Sequence, residues 1–310
     1  MHRSEPVEER QVDRVSLNRT QHNPASLERS CGAAFDRVSS DYDRHRPGYP
    51  DQLIDRACEI AVLEPESPVL EIGCGTGQLT RSLLARGLRV TAIEPGAQLA
   101  GLARAGLRDA GDFDIVNARF EDVELPAAHF RAAFSASAMH WIDPNVGWQR
   151  TADALAPGGT LALIQYFGLD DQDNVDDQQS LLNAMCAAAP DIVESWPHPR
   201  DLETTLAGVR NRRSNISEAW SWLGGYDLAR DDAGRLFQDI QIDAQSQVVE
   251  RTAAEVCALL GTMSFWSRLS PEPRAALQDA IQALQEQLRR PFRANIVACL
   301  VTARRADAVH

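Results

Sequence analysis

Short apolar runs alternate with amphipathic segments through the middle of this chain. The runs "SPVLEIG", "LRVTAIE", "FDIVNA", "FRAAFSAS" and "TLALIQYF" predict five strands, because each is short, apolar and bounded by polar or turn-forming residues. Between them, "QLTRSLLARG", "GAQLAGLARAGLRDA" and "VGWQRTADALAPGG" predict helices, the first ending at Gly87 and the last at Pro157 and two glycines. Repeated alternation of strand and helix indicates a parallel sheet covered by helices on both faces.

The alternation stops after Phe167, where an acidic loop, "LDDQDNVDDQQ", precedes several helical stretches. Two further strands follow, "IQIDAQSQVVERT" and "ANIVACLVTARR", with the predicted helices "AAEVCALLGTMSFWSRL" and "PEPRAALQDAIQALQEQLRR" between them. We therefore predict an α/β fold: a doubly wound, mostly parallel seven-stranded sheet with a helical insertion between strands 5 and 6. The predicted segments are an N-terminal arm (1–34), a core (35–167), a helical substrate-capping insertion (168–240) and the end of the core sheet with cap helices (241–310).

The net charge of the chain limits the classes of binding partner that it can have. The net charge is −13 and the pI about 5.0, which argues against a nucleic-acid partner that would need a basic face. No apolar run approaches the length of a membrane span, and the charged N-terminus lacks the apolar core of a signal peptide. We expect a cytoplasmic protein without a membrane partner, whose polar arm is either disordered or docked on a neighbouring subunit of a homo-oligomer.

The chain contains no lysine, so all 31 basic residues are arginine. Schiff-base chemistry and a Walker phosphate loop would each need a lysine, and both are disfavoured. The six cysteines are scattered without a C-x-x-C pair, and the histidines do not cluster with other ligand types. We expect reduced thiols and no metal site.

The stretch "VLEIGCGTGQLT" places Gly73, Gly75 and Gly77 directly after the first predicted strand. Ligands of such sheets bind at the carboxyl ends of the strands. A dinucleotide fingerprint is G-x-G-x-x-G, but here Gln78 stands where the third glycine would fall. That departure disfavours an NAD-dependent oxidoreductase.

The pattern E-x-G-x-G-x-G resembles the signature of class I S-adenosylmethionine-dependent methyltransferases, which have a Rossmann-like fold. The resemblance implies that the loop passes beside the methionine part of the cofactor, where a Cβ would collide with it. It places Glu71 near the cationic end of the cofactor and Glu94, after the second strand, on the ribose hydroxyls. The cofactor-binding residues implied by this segment and the next strand end are Glu71, Gly73, Cys74, Gly75, Gly77, Gln78, Glu94 and Pro95.

Residues 35–50, "FDRVSSDYDRHRPGYP", resemble the leading segment of small-molecule methyltransferases of the trans-aconitate type. The resemblance implies that Tyr42 and Arg46 close over the methionine end; the alternative is a surface salt-bridge helix. In "NARFEDVELP", Arg119 stands where the family often has an acidic residue. This departure puts a side-chain bond to adenine in doubt, while Phe120 still offers its backbone N–H and an aromatic face.

After the fourth strand, "SASAMHWIDP" places Ser135 and Ala136 beside the transferring methyl group by family position, with Met139, His140 and Trp141 facing the substrate. His140 is the best candidate for a general base, since imidazole titrates near neutrality; the alternative is a structural histidine. Aromatic residues further along, which line either the core or an apolar pocket, complete the predicted substrate set: Trp196, Trp222, Phe265 and Trp266.

Together these features predict a methyltransferase that uses S-adenosyl-L-methionine and acts on an apolar small molecule, as in secondary metabolism. The arm and the aromatic insertion resemble secondary-metabolite C-methyltransferases such as that of the teleocidin pathway. This resemblance implies methylation of a prenyl or terpenoid olefin with coupled cyclisation, in which aromatic faces would stabilise a carbocation. The alternatives are an O- or carboxyl methyltransferase of a small acid and a non-catalytic cofactor-binding module.

Overall fold

One sheet organises the molecule. The computed structural model describes residues 48–169, 176–190, 200–261, 266 and 269–307. Seven strands lie in the order β3-β2-β1-β4-β5-β7-β6, and β7 runs antiparallel to β5 and β6 while the other pairs are parallel. The predicted doubly wound, mostly parallel sheet is therefore confirmed. The strands are β1 (Pro68–Ile72), β2 (Arg89–Ile93), β3 (Phe113–Val116), β4 (Phe130–Ala136), β5 (Leu155–Gly168), β6 (Phe237–Arg251) and β7 (Phe292–Arg305).

The helices within the described residues fall into groups set by the strands they connect. Helices α5 to α8 lie between β5 and β6, in the stretch predicted as an insertion, and α9 and α10 lie between β6 and β7. The predicted arm lies outside the described residues, as does the leading segment up to residue 47. The helices are α1 (Asp51–Ile60), α2 (Gln78–Leu84), α3 (Ala97–Leu107), α4 (Pro144–Ala154), α5 (Asp176–Ala188), α6 (Leu202–Arg210), α7 (Ile216–Gly224), α8 (Ala233–Leu236), α9 (Ala253–Gly261) and α10 (Pro271–Leu288).

The two faces of the sheet bury separate apolar cores. The first face packs against α1, α2 and α3, and its strand residues include Phe134, Ile164 and Leu300. The opposite face packs against α4, α6, α7 and α8, and its strand residues include Leu163 and Val301. Because side chains alternate along a strand, this division assigns every strand position to one of the two faces.

A third core lies where α5, α9 and α10 meet the start of β7 around Phe292. Gly168 ends β5 opposite Ile296, while β6 and β7 continue together until Arg251 faces Phe292. The long β6–β7 pair therefore extends beyond the carboxyl ends of the parallel strands and borders the region where ligands of this fold class bind.

One predicted boundary is wrong. The helix expected to close at Pro157 ends at Ala154, and β5 begins at the next residue. Leu155 is fully buried and pairs with Phe130, so burial of its side chain takes the chain into the sheet before the proline and glycines. The register shift between Phe130 and Ala132 accommodates those residues as an irregularity in the strand pair.

Candidate functional site

The glycine loop after β1 requires glycine for reasons internal to the protein. Gly73, Gly75 and Gly77 have φ of +75°, +56° and +88°, a region that side chains disfavour. A Cβ on Gly73 would lie 2.4 Å from the Cβ of Ala138, and one on Gly77 would lie 2.8 Å from Cδ1 of Leu107. Collision with a ligand, the reason expected from the sequence, is therefore not needed to explain the glycines at 73 and 77.

Glu94 joins this loop to the end of β2. It is only 6% exposed, and its carboxylate accepts the N–H of Gly75 on Oε2 and the N–H of Gly96 on Oε1, both at 2.8 Å. A carboxylate oxygen can accept more than one hydrogen bond, which is the property that binding of ligand hydroxyls requires. Asn117 donates to the backbone oxygens of Glu94 and Pro95 and so fixes the strand end, with Pro95 exposed beside it.

Glu71 is a buried carboxyl group on the neighbouring strand. It is 1% exposed, and the hydroxyl of Thr80 donates to its Oε2 at 2.7 Å. Burial raises the pKa of Glu71 to about 7, with the hydrogen bond from Thr80 opposing the rise and the charge of Glu94 adding to it. Glu71 therefore changes its protonation state near neutral pH, and a bound cation would favour its ionised form.

A small cavity opens at this edge of the sheet. Six predicted cofactor residues line it, together with three residues that the sequence did not indicate. Cys74 is buried there, and burial raises the pKa of its thiol so that it stays neutral. The lining residues are Tyr49, Glu71, Gly73, Cys74, Gly75, Thr76, Gln78, Leu79 and Ala136.

Tyr49 and Tyr166 form one wall of this region. Their rings stack with centroids 5.7 Å apart, and the hydroxyl of Tyr166 donates to the backbone oxygen of Gly48 at 2.6 Å. This contact brings together residues more than 110 positions apart. Residues 47–50, "PGYP", belong to the stretch that resembles the leading segment of small-molecule methyltransferases. No feature of that stretch predicted a contact with β5.

The end of β4 separates two predicted residues. Ala136 lines the cavity, whereas Ser135 is fully buried and donates its hydroxyl to the oxygen of Ile72 at 3.0 Å. The hydroxyl of Ser135 is therefore engaged within the sheet, and the predicted position of this residue beside the transferring methyl group stays a prediction. Strand alternation explains the difference, because neighbouring residues point to opposite faces.

The 3₁₀ turn Met139–Trp141 distributes its side chains differently from the prediction. Met139 is 2% exposed and belongs to the core beneath the turn, so its expected contact with substrate is wrong. His140 is half-buried and stacks on Tyr226, with ring centroids 4.4 Å apart and planes at 11°. Trp141 is 36% exposed, and its ring centroid lies 4.8 Å from that of His140.

The ring of Phe120 does not offer the expected aromatic face. The residue is 1% exposed and packs in the core, and the guanidinium of Arg150 lies 5.7 Å from its ring centroid. Arg119 lies 3.4 Å from Glu121, whose carboxylate also accepts the N–H of Asp143. The loop after β3 is thus held by protein contacts, and its aromatic side chain takes part in folding.

The remaining predicted substrate residues are not assembled into one pocket by the described contacts. Trp222 donates its indole N–H to Thr205 at 3.2 Å and stacks under the guanidinium of Arg212, 4.2 Å from the ring centroid, so it joins α6 to α7. Trp266 packs against the third core, and its backbone oxygen accepts from Arg274. Four residues named from the sequence lie outside the described residues: Tyr42, Arg46, Trp196 and Phe265.

Two kinds of feature are missing from the part of the chain that the structure describes. It contains no group of three or more histidine, cysteine or acidic side chains arranged to hold a metal ion. Among the same residues, no helix combines the length and apolarity needed to cross a bilayer.

Two carboxylates that flank a glycine loop at the edge of a mostly parallel seven-stranded sheet are typical of class I S-adenosylmethionine-dependent methyltransferases. Residues 70–163 match the family model described as a methyltransferase domain. S-adenosyl-L-methionine is the cofactor of this class.

Three relatives place this domain among known proteins. An uncharacterized methyltransferase of Mycobacterium tuberculosis is 33% identical over 136 residues, which is 44% of this chain and 53% of the relative. Trans-aconitate 2-methyltransferase of Rhizobium meliloti is 33% identical over 125 residues, 38% of this chain and 43% of the relative. A proposed type II methyltransferase structure from Anaeromyxobacter dehalogenans, 23% identical with a TM-score of 0.53, covers 84% of this chain and 97% of its own and supports the fold.

The chain spans about half the length of the first curated relatives that it matches. Other matched relatives are named as ribosomal RNA methyltransferases and as a malonyl-[acyl-carrier protein] O-methyltransferase. The printed names of these relatives differ in the acceptor, so the similarity alone does not assign an acceptor to this chain.

Proposed function

We propose that this protein transfers the methyl group of S-adenosyl-L-methionine to a small molecule. One observation carries the proposal: Glu71 and Glu94 lie at the carboxyl ends of adjacent strands, on either side of a loop held open by glycines with positive φ. Each carboxylate suits a different part of the cofactor, a cation for Glu71 and two hydroxyls for Glu94. Tyr49 and Ala136 border the same cavity on the side where the amino-acid end would lie.

The cofactor supplies an electrophilic methyl group when bound, so the chain needs chiefly to position an acceptor in line with it and exclude water. His140 follows β4 closely and stacks on Tyr226, which fixes the plane of its imidazole. We assign His140 as the general base if the acceptor is a hydroxyl or an acidic carbon. The Tyr226 ring suits this role because stacking limits rotation of the imidazole and leaves the imidazole able to act as an acid or a base.

A small-molecule acceptor is supported by the net charge of −13 and by the relative named trans-aconitate 2-methyltransferase. The narrower proposal is an acceptor with an apolar body, as in secondary metabolism, contacted by the exposed ring of Trp141. Trp222 and Met139 no longer support an apolar pocket, because both are engaged in packing. C-methylation of a prenyl or terpenoid olefin stays a prediction.

Glu94→Gln tests the cofactor assignment. Loss of the charged acceptor should weaken S-adenosylhomocysteine binding by about tenfold to a hundredfold, the worth of one or more charge-assisted hydrogen bonds. Isothermal titration calorimetry measures the affinity, and a thermal melt checks that the loop still folds. Asp112→Asn is the matched control, since its side chain is 73% exposed and its nearest cation, Arg89, is 3.9 Å away.

Equal affinity in Glu94→Gln and the parent protein would contradict the ribose assignment. Titration with NAD separates the dinucleotide alternative, which predicts tight NAD binding and none of S-adenosylhomocysteine. The acceptor itself is sought by incubating the protein with methyl-labelled cofactor and a metabolite extract, and by following the label with mass spectrometry. A labelled nucleic acid in place of a labelled metabolite would overturn the small-molecule assignment.

A further inference from the structure

A single arginine joins the end of β5 to the C-terminus of α7. The backbone N–H of Arg200 donates to the oxygen of Gly168, the last residue of β5, at 2.9 Å. Its guanidinium lies 6.0 Å from the ring centroid of Phe167, which belongs to the core under α6 and α7. The side chain of Arg200 therefore lies at the carboxyl edge of the sheet, where ligands of this fold class bind.

One nitrogen of the guanidinium fixes its position. Nη1 of Arg200 donates to the backbone oxygen of Leu223 at 2.6 Å and to that of Trp222 at 3.4 Å. These oxygens belong to the last turn of α7, where the carbonyl groups carry partial negative charge. A Cβ on Gly225, the next residue after the helix, would lie 2.8 Å from Nη2, so glycine leaves the room that the guanidinium occupies.

The positive charge of Arg200 is not matched by a carboxylate. Among the residues that the structure describes, no acidic side chain lies within 4.0 Å of its guanidinium, and Nε and Nη2 have no hydrogen-bond partner there. The residue is half-buried, and burial lowers the pKa of its guanidinium, with Tyr226 acting in the opposite direction. The end of a helix supplies only about half an elementary charge, so an anionic ligand would complete the pairing of this cation.

Arg200 is close to the residue assigned above as the general base. Its guanidinium lies beside Gly225, and the next residue, Tyr226, stacks on His140 with ring centroids 4.4 Å apart. His140 follows Ala136 by four residues, a span of at most about 14 Å, and Ala136 lines the glycine-loop cavity. The guanidinium, the imidazole and the cavity therefore border one region at the carboxyl edge of the sheet.

We propose that Arg200 binds a carboxylate of the acceptor, so that the acceptor is an acid with an apolar body. Nε and Nη2 lie along one edge of the planar guanidinium and can donate two parallel hydrogen bonds to a carboxylate. Since Nη1 is already fixed to α7, the guanidinium is preorganised, and binding costs less side-chain entropy. This inference rests on the proposed function and narrows it, because acids are one class of small molecule.

Two probes that differ only in charge and its hydrogen bonding test the proposal. 2-Naphthoate and 2-naphthamide share one apolar ring system, but only the first carries a carboxylate. Each is titrated, with fluorescence detection, into the full chain saturated with S-adenosylhomocysteine. Arg200→Gln removes the guanidinium, and Arg210→Gln is the matched control, since the side chain of that arginine on α6 is 47% exposed and lies 3.9 Å from Glu203.

The parent protein and Arg210→Gln should bind 2-naphthoate about tenfold or more tightly than 2-naphthamide, the effect of charge-assisted hydrogen bonds. Arg200→Gln should remove this preference by weakening 2-naphthoate alone. Absence of the preference in the parent protein, including no binding of 2-naphthoate, would overturn the proposal, as would an unchanged preference in Arg200→Gln. Equal weakening of both probes would also overturn it, because that result is expected if Arg200 only holds α7 in place.

The proposed function has its own distinct failure, namely no binding of S-adenosylhomocysteine to the parent protein by calorimetry. The two naphthalene probes are then compared on the free protein, so the two failures are distinguishable. Should a thermal melt show that Arg200→Gln unfolds, Arg200→Lys replaces it in the same titrations. Lysine keeps the charge but cannot donate two parallel hydrogen bonds, so the preference for 2-naphthoate should shrink, and an unchanged preference contradicts the proposal.

Discussion

Cofactor binding should be coupled to the protonation of Glu71. Burial raises the pKa of this carboxyl to about 7 in the free protein, so much of it is protonated at neutral pH. A cationic amino-acid end bound beside Glu71 favours the carboxylate and lowers its pKa. Binding therefore releases a proton at acidic pH, and the apparent affinity falls as the pH falls through 7.

The size of the effect follows from the fraction of ionised Glu71. With a pKa of about 7, the carboxylate is roughly 10% populated at pH ~6 and roughly 90% at pH ~8, so the apparent affinity for S-adenosylhomocysteine should rise about tenfold between them. Calorimetry in buffers of different ionisation enthalpy measures the protons released, which should approach about one per ligand at pH ~6 and nearly none at pH ~8.

Glu71→Gln separates this linkage from proton uptake elsewhere on the protein or the ligand, because it removes only the Glu71 carboxyl group. Its affinity for S-adenosylhomocysteine should not depend on Glu71 protonation and should lose most of the change between pH ~6 and pH ~8. The stability of the free protein should change in the other direction. Because folding raises the pKa of this carboxyl, the free energy of unfolding falls as the pH rises from the unfolded-state pKa toward 7. A pH-independent affinity in the parent protein, or the same pH dependence in Glu71→Gln, would refute the reasoning.

Two further predictions concern the scaffold. Gly73→Ala should lower the free energy of unfolding by about 2–5 kcal/mol, since positive φ and a contact with Ala138 both oppose a Cβ. Gly101→Ala, in open space on α3, should instead be neutral or stabilising, and urea denaturation that finds the two alike would contradict this account. Asp177→Asn should cost about 1–3 kcal/mol in the same assay, because the buried carboxylate accepts from both Arg290 nitrogens and the N–H of Arg293. Glu203→Gln, an exposed carboxylate 3.9 Å from Arg210, is its control, and an equal effect of the two changes would show that burial of Asp177 adds nothing.

The fold was largely predictable because local patterns and tertiary packing agree. Each predicted strand of the core recurs in the sheet, and the helices between them bury the faces that their apolar spacing indicated. The helix before β5 shows where local signals fail. Pro157 and its glycines predicted a helix end, but burial of Leu155 at the sheet takes the chain into strand first.

The site was less predictable because it depends on the direction of individual side chains. Ser135 and Ala136 are neighbours in sequence and point to opposite faces, a difference that strand alternation could have indicated. Met139 and Trp141 lie in a three-residue turn, which is too short for periodicity to show which side chain turns inward. Tyr166 reaches Tyr49 through a contact between distant segments, and no local pattern encodes that pairing.

A crystal structure of the complex with S-adenosylhomocysteine tests the central claim most directly. The account predicts that both ribose hydroxyls lie within hydrogen-bonding distance of Glu94, and that the amino-acid end enters the cavity between Glu71 and Tyr49. Density for the ligand at another place on the protein, or a ribose that makes no contact with Glu94, would contradict it.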